Sequence, residues 1–72
     1  MVSRDSAEPP YVQVAGMLRD RVRRMKSGDR LPSVRDMARQ YEVSTNTVLK
    51  AMTILVDEGL VTTTPGWGTF KK

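Results

Sequence analysis

From Tyr11 onward, apolar residues return every three or four positions: Tyr11, Val14, Leu18, Val22 and Met25. At 3.6 residues per turn this spacing gathers them on one side of a helix and leaves Arg19, Asp20, Arg23 and Arg24 for the others. Pro9-Pro10 marks the start, because a first-turn amide has no helical partner to lose, and the helix is expected to end near Met25. Gly16 lowers its intrinsic stability without forbidding it. Lys26-Ser27-Gly28-Asp29 then breaks the periodicity with turn residues.

A second helix is predicted from Val34, where Ser33-Val34-Arg35-Asp36 has the form of a capping box. Val34, Met37, Ala38 and Tyr41 follow the i, i+3, i+4, i+7 template for about two turns. Glu42-Val43 makes the turn, and Ser44 is a second N-cap before the clearest repeat in the chain: Val48, Ala51, Met52, Leu55 and Val56. This third helix spans Thr45 to about Glu58, and Gly59 suits the left-handed position that closes many helices. Beyond it, Leu60-Val61-Thr62-Thr63-Thr64, rich in β-branched residues, the turn residues Pro65-Gly66-Trp67-Gly68 and Thr69-Phe70 predict a hairpin. Two strands alone are marginal in water, so the hairpin is expected to pack on the helices through Leu60, Val61 and Phe70. The expected fold is mainly α with a small β-hairpin: a winged helix-turn-helix of three helices plus a two-stranded wing. It occupies residues 9–72, after a disordered arm over residues 1–8.

Composition narrows what such a fold can do. The chain has 72 residues, enough for one small core, and contains neither cysteine nor histidine. That removes disulfides, thiol nucleophiles, the usual proton shuttle and most zinc sites, so neither an enzyme nor a bound cofactor or metal is expected. The amino terminus has no apolar signal core, and no segment approaches the roughly 20 apolar residues of a membrane span, so a cytoplasmic protein without membrane contact is expected. Twelve Lys and Arg against eight Asp and Glu give a net charge of +4, which matters only through where the charges fall.

Two short helices joined by a tight turn form a helix-turn-helix, whose second helix enters a DNA major groove. Opposite the apolar stripe, the third helix carries Asn46, Lys50 and Thr53, with Leu49 at the border of that face. Asn can bond adenine N6 and N7 together, Lys suits guanine O6 and N7, and Thr can bond phosphate or touch a thymine methyl. Ser44-Thr45-Asn46-Thr47 adds hydroxyls and free amides at the positive end of the helix. An ordinary solvated helix face capped by serine would have the same composition. Arg35, in the first turn of the second helix, is placed to reach a guanine or a phosphate, or else to pair with a neighbouring acid. Gly66 and Gly68 allow a close approach to a sugar-phosphate backbone and equally serve a tight turn. Trp67 between them can lie on a minor groove or fold back onto the core. The basic residues of the first helix read mainly as a solvated face, and Arg4 lies in an arm that also carries Asp5 and Glu8.

The chain resembles the amino-terminal domain of GntR-family bacterial transcription regulators from about Tyr11 to Phe70. The resemblance lies in Tyr11-Val12-Gln13-Val14-Ala15, in Gly28-Asp29-Arg30-Leu31-Pro32-Ser33-Val34-Arg35-Asp36-Met37-Ala38 and in Val43-Ser44-Thr45-Asn46-Thr47-Val48. Ala51, Leu55, Glu58-Gly59-Leu60-Val61 and Gly66-Trp67-Gly68-Thr69-Phe70 complete it. Pro32-Ser33-Val34-Arg35 with Asn46-Thr47-Val48 is most similar to the YtrA-type branch. The resemblance implies a repressor that binds a two-fold symmetric operator in double-stranded DNA, as a homodimer at least on DNA. It assigns DNA contacts to Arg35, to Ser44, Thr45, Asn46 and Thr47, to the wing glycines Gly66 and Gly68 and, less directly, to Lys50.

Several positions depart from the family pattern. Thr45 and Leu49 stand where many members carry arginine, Trp67 replaces a small, polar or basic residue, and Glu42 sits where glycine is common. Ile54 and Val56 replace polar residues, an extra apolar surface through which copies can self-associate. Lys71-Lys72 closes the chain where family members continue into an effector-binding domain, so no small-molecule ligand is expected here. A winged helix that docks a protein instead of DNA is the main alternative, with RNA binding third.

Overall fold

The computed structural model describes residues 8–72, in the order α1 (Pro10–Arg23), α2 (Val34–Tyr41), α3 (Thr45–Asp57), β1 (Val61–Thr64) and β2 (Gly68–Lys71). Apart from Glu8, whose carbonyl accepts from Gln13 Nε2 at 3.0 Å, the arm assigned to residues 1–8 lies outside the described residues, as does Arg4. The three helices and the antiparallel hairpin match the winged helix-turn-helix expected from the sequence. The first helix ends two residues earlier than expected, at Arg23, and Met25 still packs against the core from the turn.

The apolar stripes meet in one core. Val14, Leu18 and Val22 of α1, Met37 of α2, Val48, Ala51 and Leu55 of α3 and Val61 of β1 are all buried, with Leu31 closing the group from the loop before α2. The α1 and α3 helices share the broadest contact, so α3 is held along its length with its opposite side left open. No polar or charged side chain is buried among the described residues, which leaves the core without unsatisfied groups.

Serine caps both helices of the helix-turn-helix. The Ser33 hydroxyl accepts from the Asp36 amide at 3.1 Å, and the Ser44 hydroxyl accepts from the Thr47 amide at 3.2 Å. Both helices also close in the same way. At the end of α3 the Leu60 amide donates to the Leu55 carbonyl and the Gly59 amide to Val56, while Gly59 has φ +76°. At the end of α2 the Val43 amide donates to Ala38 and the Glu42 amide to Arg39, with Glu42 at φ 58°. This double hydrogen bond requires a left-handed residue, which glycine adopts without strain and a residue with a Cβ does not. Glu42→Gly is therefore expected to stabilise the domain by about 0.5 to 1 kcal/mol, a few degrees in a thermal melt. An unchanged or lower midpoint would show that the strain at Glu42 is relieved in another way.

The hairpin is not held by side chains alone. Val61 is fully buried and Leu60 packs against the core, whereas Phe70 is only half-buried and joins through its backbone. Residues 28–31 run antiparallel to β2. The Gly28 amide donates to Lys71, the Lys71 amide to Asp29 and the Leu31 amide to Thr69, each at 2.8 Å, and Arg30 bridges Phe70. The segment read as turn from its residue types thus supplies a third, short sheet edge. The Lys71 ammonium donates to the Met25 carbonyl just beyond α1, where a cation favours the negative end of the helix.

The far ends of α1 and α3 are tied by a two-pronged ion pair, Arg19 Nε to Glu58 Oε1 at 2.9 Å and Arg19 Nη2 to Oε2 at 2.7 Å. These hydrogen bonds hold the Glu58 carboxyl below its ordinary pKa of 4.5 and raise that of Arg19. Because the folded value is the lower one, the stabilisation is present above pH 4.5 and is lost as pH falls through the folded pKa. Melts from neutral to acid pH are expected to show wild type above Glu58→Gln at neutral pH, with the gap closing in acid. A gap that stays constant would contradict an ionic origin.

Candidate nucleic-acid interface

The open side of α3 is what the core leaves exposed. Asn46, Leu49, Lys50 and Thr53, spaced i, i+3, i+4, i+7, form one continuous solvent face, and Leu49 is 50% exposed. Sequence reasoning put Leu49 at the border of this face, and in α3 it lies at that edge beside Thr53. The side chains of Asn46 and Arg35 have neither a hydrogen bond nor an ion pair among the described residues, which removes the acid-paired alternative for Arg35. Lys50 is engaged weakly, its ammonium 5.7 Å from the centre of the Tyr11 ring. That contact couples the start of α1 to the outward face of α3.

The beginning of α3 is chemically open. The amides of Thr45 and Asn46 have no partner among the described residues, and the hydroxyls of Ser44 and Thr47 lie 3.0 Å apart. One of those hydroxyls donates to the other, so one O–H is left for an external acceptor. Two free amides and a hydroxyl at the positive end of a helix suit an anionic oxygen. Thr53 differs from its expected role. Its hydroxyl donates to the Leu49 carbonyl at 3.0 Å, so an outside group meets mainly its methyl.

At the wing, Thr64-Pro65-Gly66-Trp67 forms a tight turn closed by the Trp67 amide on the Thr64 carbonyl at 3.0 Å, with Gly66 at φ +80°. Proline second and a left-handed glycine third define a type II turn. Trp67 stands out from it, 71% exposed, so it does not fold back onto the core. Gly68 has φ +113°, and a Cβ there would lie 2.9 Å from Arg30 Nε, because the Arg30 guanidinium rests across this glycine. Residues Arg30, Pro32, Ser33, Thr64, Gly66 and Gly68 line a cleft between the start of α2 and the hairpin. Sequence reasoning missed Arg30 as a site residue because nothing in Gly28-Asp29-Arg30 announces pairing with a strand 40 residues later.

Basic residues of α1 have other duties. Arg19 is spent on Glu58, and Arg21 donates to Gln40 Oε1 at 3.0 Å and to the Tyr41 hydroxyl, bracing α1 against α2. Among the described residues no group of acidic side chains is arranged to hold a metal ion, and no helix is long and apolar enough to cross a membrane.

Residues 10–70 match the profile of the family described as bacterial regulatory proteins, gntR family. The chain is 40% identical over 67 residues to the uncharacterized HTH-type transcriptional regulator YhcF of Bacillus subtilis, covering 90% of this chain and 55% of YhcF. It is 39% identical over 67 residues to the HTH-type transcriptional repressor YtrA of the same organism, covering 90% of this chain and 52% of YtrA. The chain thus spans about half the length of these curated relatives. Among solved structures, the AraR DNA-binding domain in complex with operator ORE1 superimposes with a TM-score of 0.88 at 26% identity, covering 100% of this chain and 90% of that one. The profile match, the two relatives and the shared fold agree, and the chain belongs to the gntR family of bacterial regulatory proteins, with the winged helix-turn-helix of its DNA-binding domains.

Proposed function

We propose that residues 9–72 form a sequence-specific double-stranded DNA-binding domain of a cytoplasmic transcriptional regulator, acting by binding and not by catalysis. The observation that carries this reading is the solvent-exposed outward face of α3, open along its length in a fold that another protein, AraR, uses in a complex with its operator. In this reading α3 lies in the major groove. Asn46 and Arg35 read base edges, Lys50 meets a guanine or a phosphate, and the amides and hydroxyls at Ser44, Thr45 and Thr47 bind phosphate. The wing follows the adjacent minor groove, with Trp67 against its wall, Gly66 open to close approach and Gly68 making room for the Arg30 guanidinium. Arg30, laid across Gly68 beside the cleft, adds a cation for the backbone between wing and helix.

Repression is the regulatory outcome we propose, by analogy with YtrA, and the site is a two-fold symmetric operator bound by two copies. Val56, 41% exposed, is the apolar position available to a copy-to-copy contact, since Ile54 is largely taken up by the core. No small-molecule ligand is assigned to these residues.

The test is selection of bound sequences from a random duplex pool at two salt concentrations, with wild type and Arg35→Ala in parallel. A symmetric motif enriched by wild type and weakened in the variant is the expected result. No enrichment at either salt would favour a protein-docking winged helix instead.

A further inference from the structure

One edge of the exposed α3 face is apolar. Leu49 is half-exposed, and Thr53, one turn on and next to it around the helix, has its hydroxyl bonded to the Leu49 carbonyl at 3.0 Å. The side chain of Thr53 therefore offers its methyl beside the Leu49 side chain, and the two make a small apolar strip that runs alongside the Asn46 amide and the Lys50 ammonium. We infer that this strip is a thymine reader: Leu49, supported by the Thr53 methyl, packs on the C5-methyl group of a thymine in the major groove. The inference rests on the reading that α3 enters that groove.

The floor of the major groove presents hydrogen-bond donors, acceptors and one apolar group, the thymine methyl. A leucine on a reading face has no polar atom with which to answer a donor or an acceptor. Set against N7, O6 or N4 it would strip water from that group without replacing the bond, which costs affinity. Set against a thymine methyl it removes apolar surface from water on both partners, which is favourable. The same contact rejects cytosine, whose C5 carries hydrogen and whose N4 is a donor. Asn46 and Lys50 beside it then read polar edges of neighbouring base pairs.

Uracil differs from thymine by this one methyl, so the test replaces each thymine of the enriched duplex singly by deoxyuridine and measures binding of wild type, Leu49→Ala and Thr53→Ser. Burial of one methyl is expected to be worth about fourfold in affinity, so wild type should bind about fourfold more weakly when one particular thymine in each half-site is replaced. Leu49→Ala should bind thymine and uracil duplexes alike at that position while melting close to wild type, because Leu49 lies outside the core. Thr53→Ser keeps the hydroxyl and loses the methyl, and it should narrow the preference without abolishing it. Wild-type binding that ignores uracil at every position would overturn the inference and leave DNA binding standing. So would a Leu49→Ala variant that keeps the full thymine preference. A pool from which wild type enriches nothing would overturn it together with the reading beneath it.

Discussion

Leu55→Ala is expected to remove a large share of the domain's stability. Leu55 is completely buried in the single core, and its carbonyl also receives the Leu60 amide that closes α3. Truncating a fully buried leucine costs about 3 to 5 kcal/mol, the lost transfer energy plus the cavity left behind. A chain of 72 residues has roughly 4 to 11 kcal/mol in total. Thermal melts followed by circular dichroism should show the midpoint falling by more than about 12 °C, while Val56→Ala, one position on and exposed, should stay within about 0.5 kcal/mol of wild type. The contrast between adjacent residues checks the orientation of α3 itself. If the two variants melt alike, the helix is rotated from the orientation described here.

Asn46→Ala is expected to have the largest effect on DNA recognition. Its side chain is exposed on the first turn of α3 and has no partner among the described residues, so its amide is free to make both bonds to an adenine edge. Loss of such a bidentate contact is worth about 1 to 3 kcal/mol, or roughly 5- to 150-fold, on the enriched duplex. Binding to duplexes of unrelated sequence should change little, because that term is carried by phosphate contacts. Lys50→Ala differs if the ammonium sits on a phosphate. It should weaken all duplexes and lower the salt slope by about 0.9. Equal loss from Asn46→Ala on every sequence would assign that residue to the backbone instead of to a base.

Much of the fold was legible because local rules and the global core agree. The stripes of α1 and α3, the serine caps at Ser33 and Ser44 and the glycine end at Gly59 each depend on residues within one or two turns, and each formed where the periodicity put it. What could not be read was long-range pairing. Nothing local in Gly28-Asp29-Arg30-Leu31 distinguishes a plain turn from a sheet edge, and the deciding partners, Thr69 and Lys71, lie some 40 residues away. The same distance hid the Arg19–Glu58 pair and the Lys71 contact with the end of α1. At the site, projection around an ideal helix found Asn46, Lys50 and Thr53 on the outward face with Leu49 at its edge, because α3 is a regular helix packed by one stripe. Trp67 could not be placed because its burial depends on the tilt of the hairpin, which the pairing of residues 28–31 with β2 sets.

The role of α3 as the DNA-reading helix is tested most directly by titrating the isotope-labelled chain with its enriched duplex and following the backbone amides. The expected shifts concentrate at Ser33 to Asp36, Ser44 to Lys50 and Gly66 to Thr69, while Asp20 and Glu58 at the opposite end of the α1–α3 contact stay still. Shifts centred on Arg19, Asp20 and Arg23, with the start of α3 unmoved, would contradict it and transfer DNA contact to the outer face of α1.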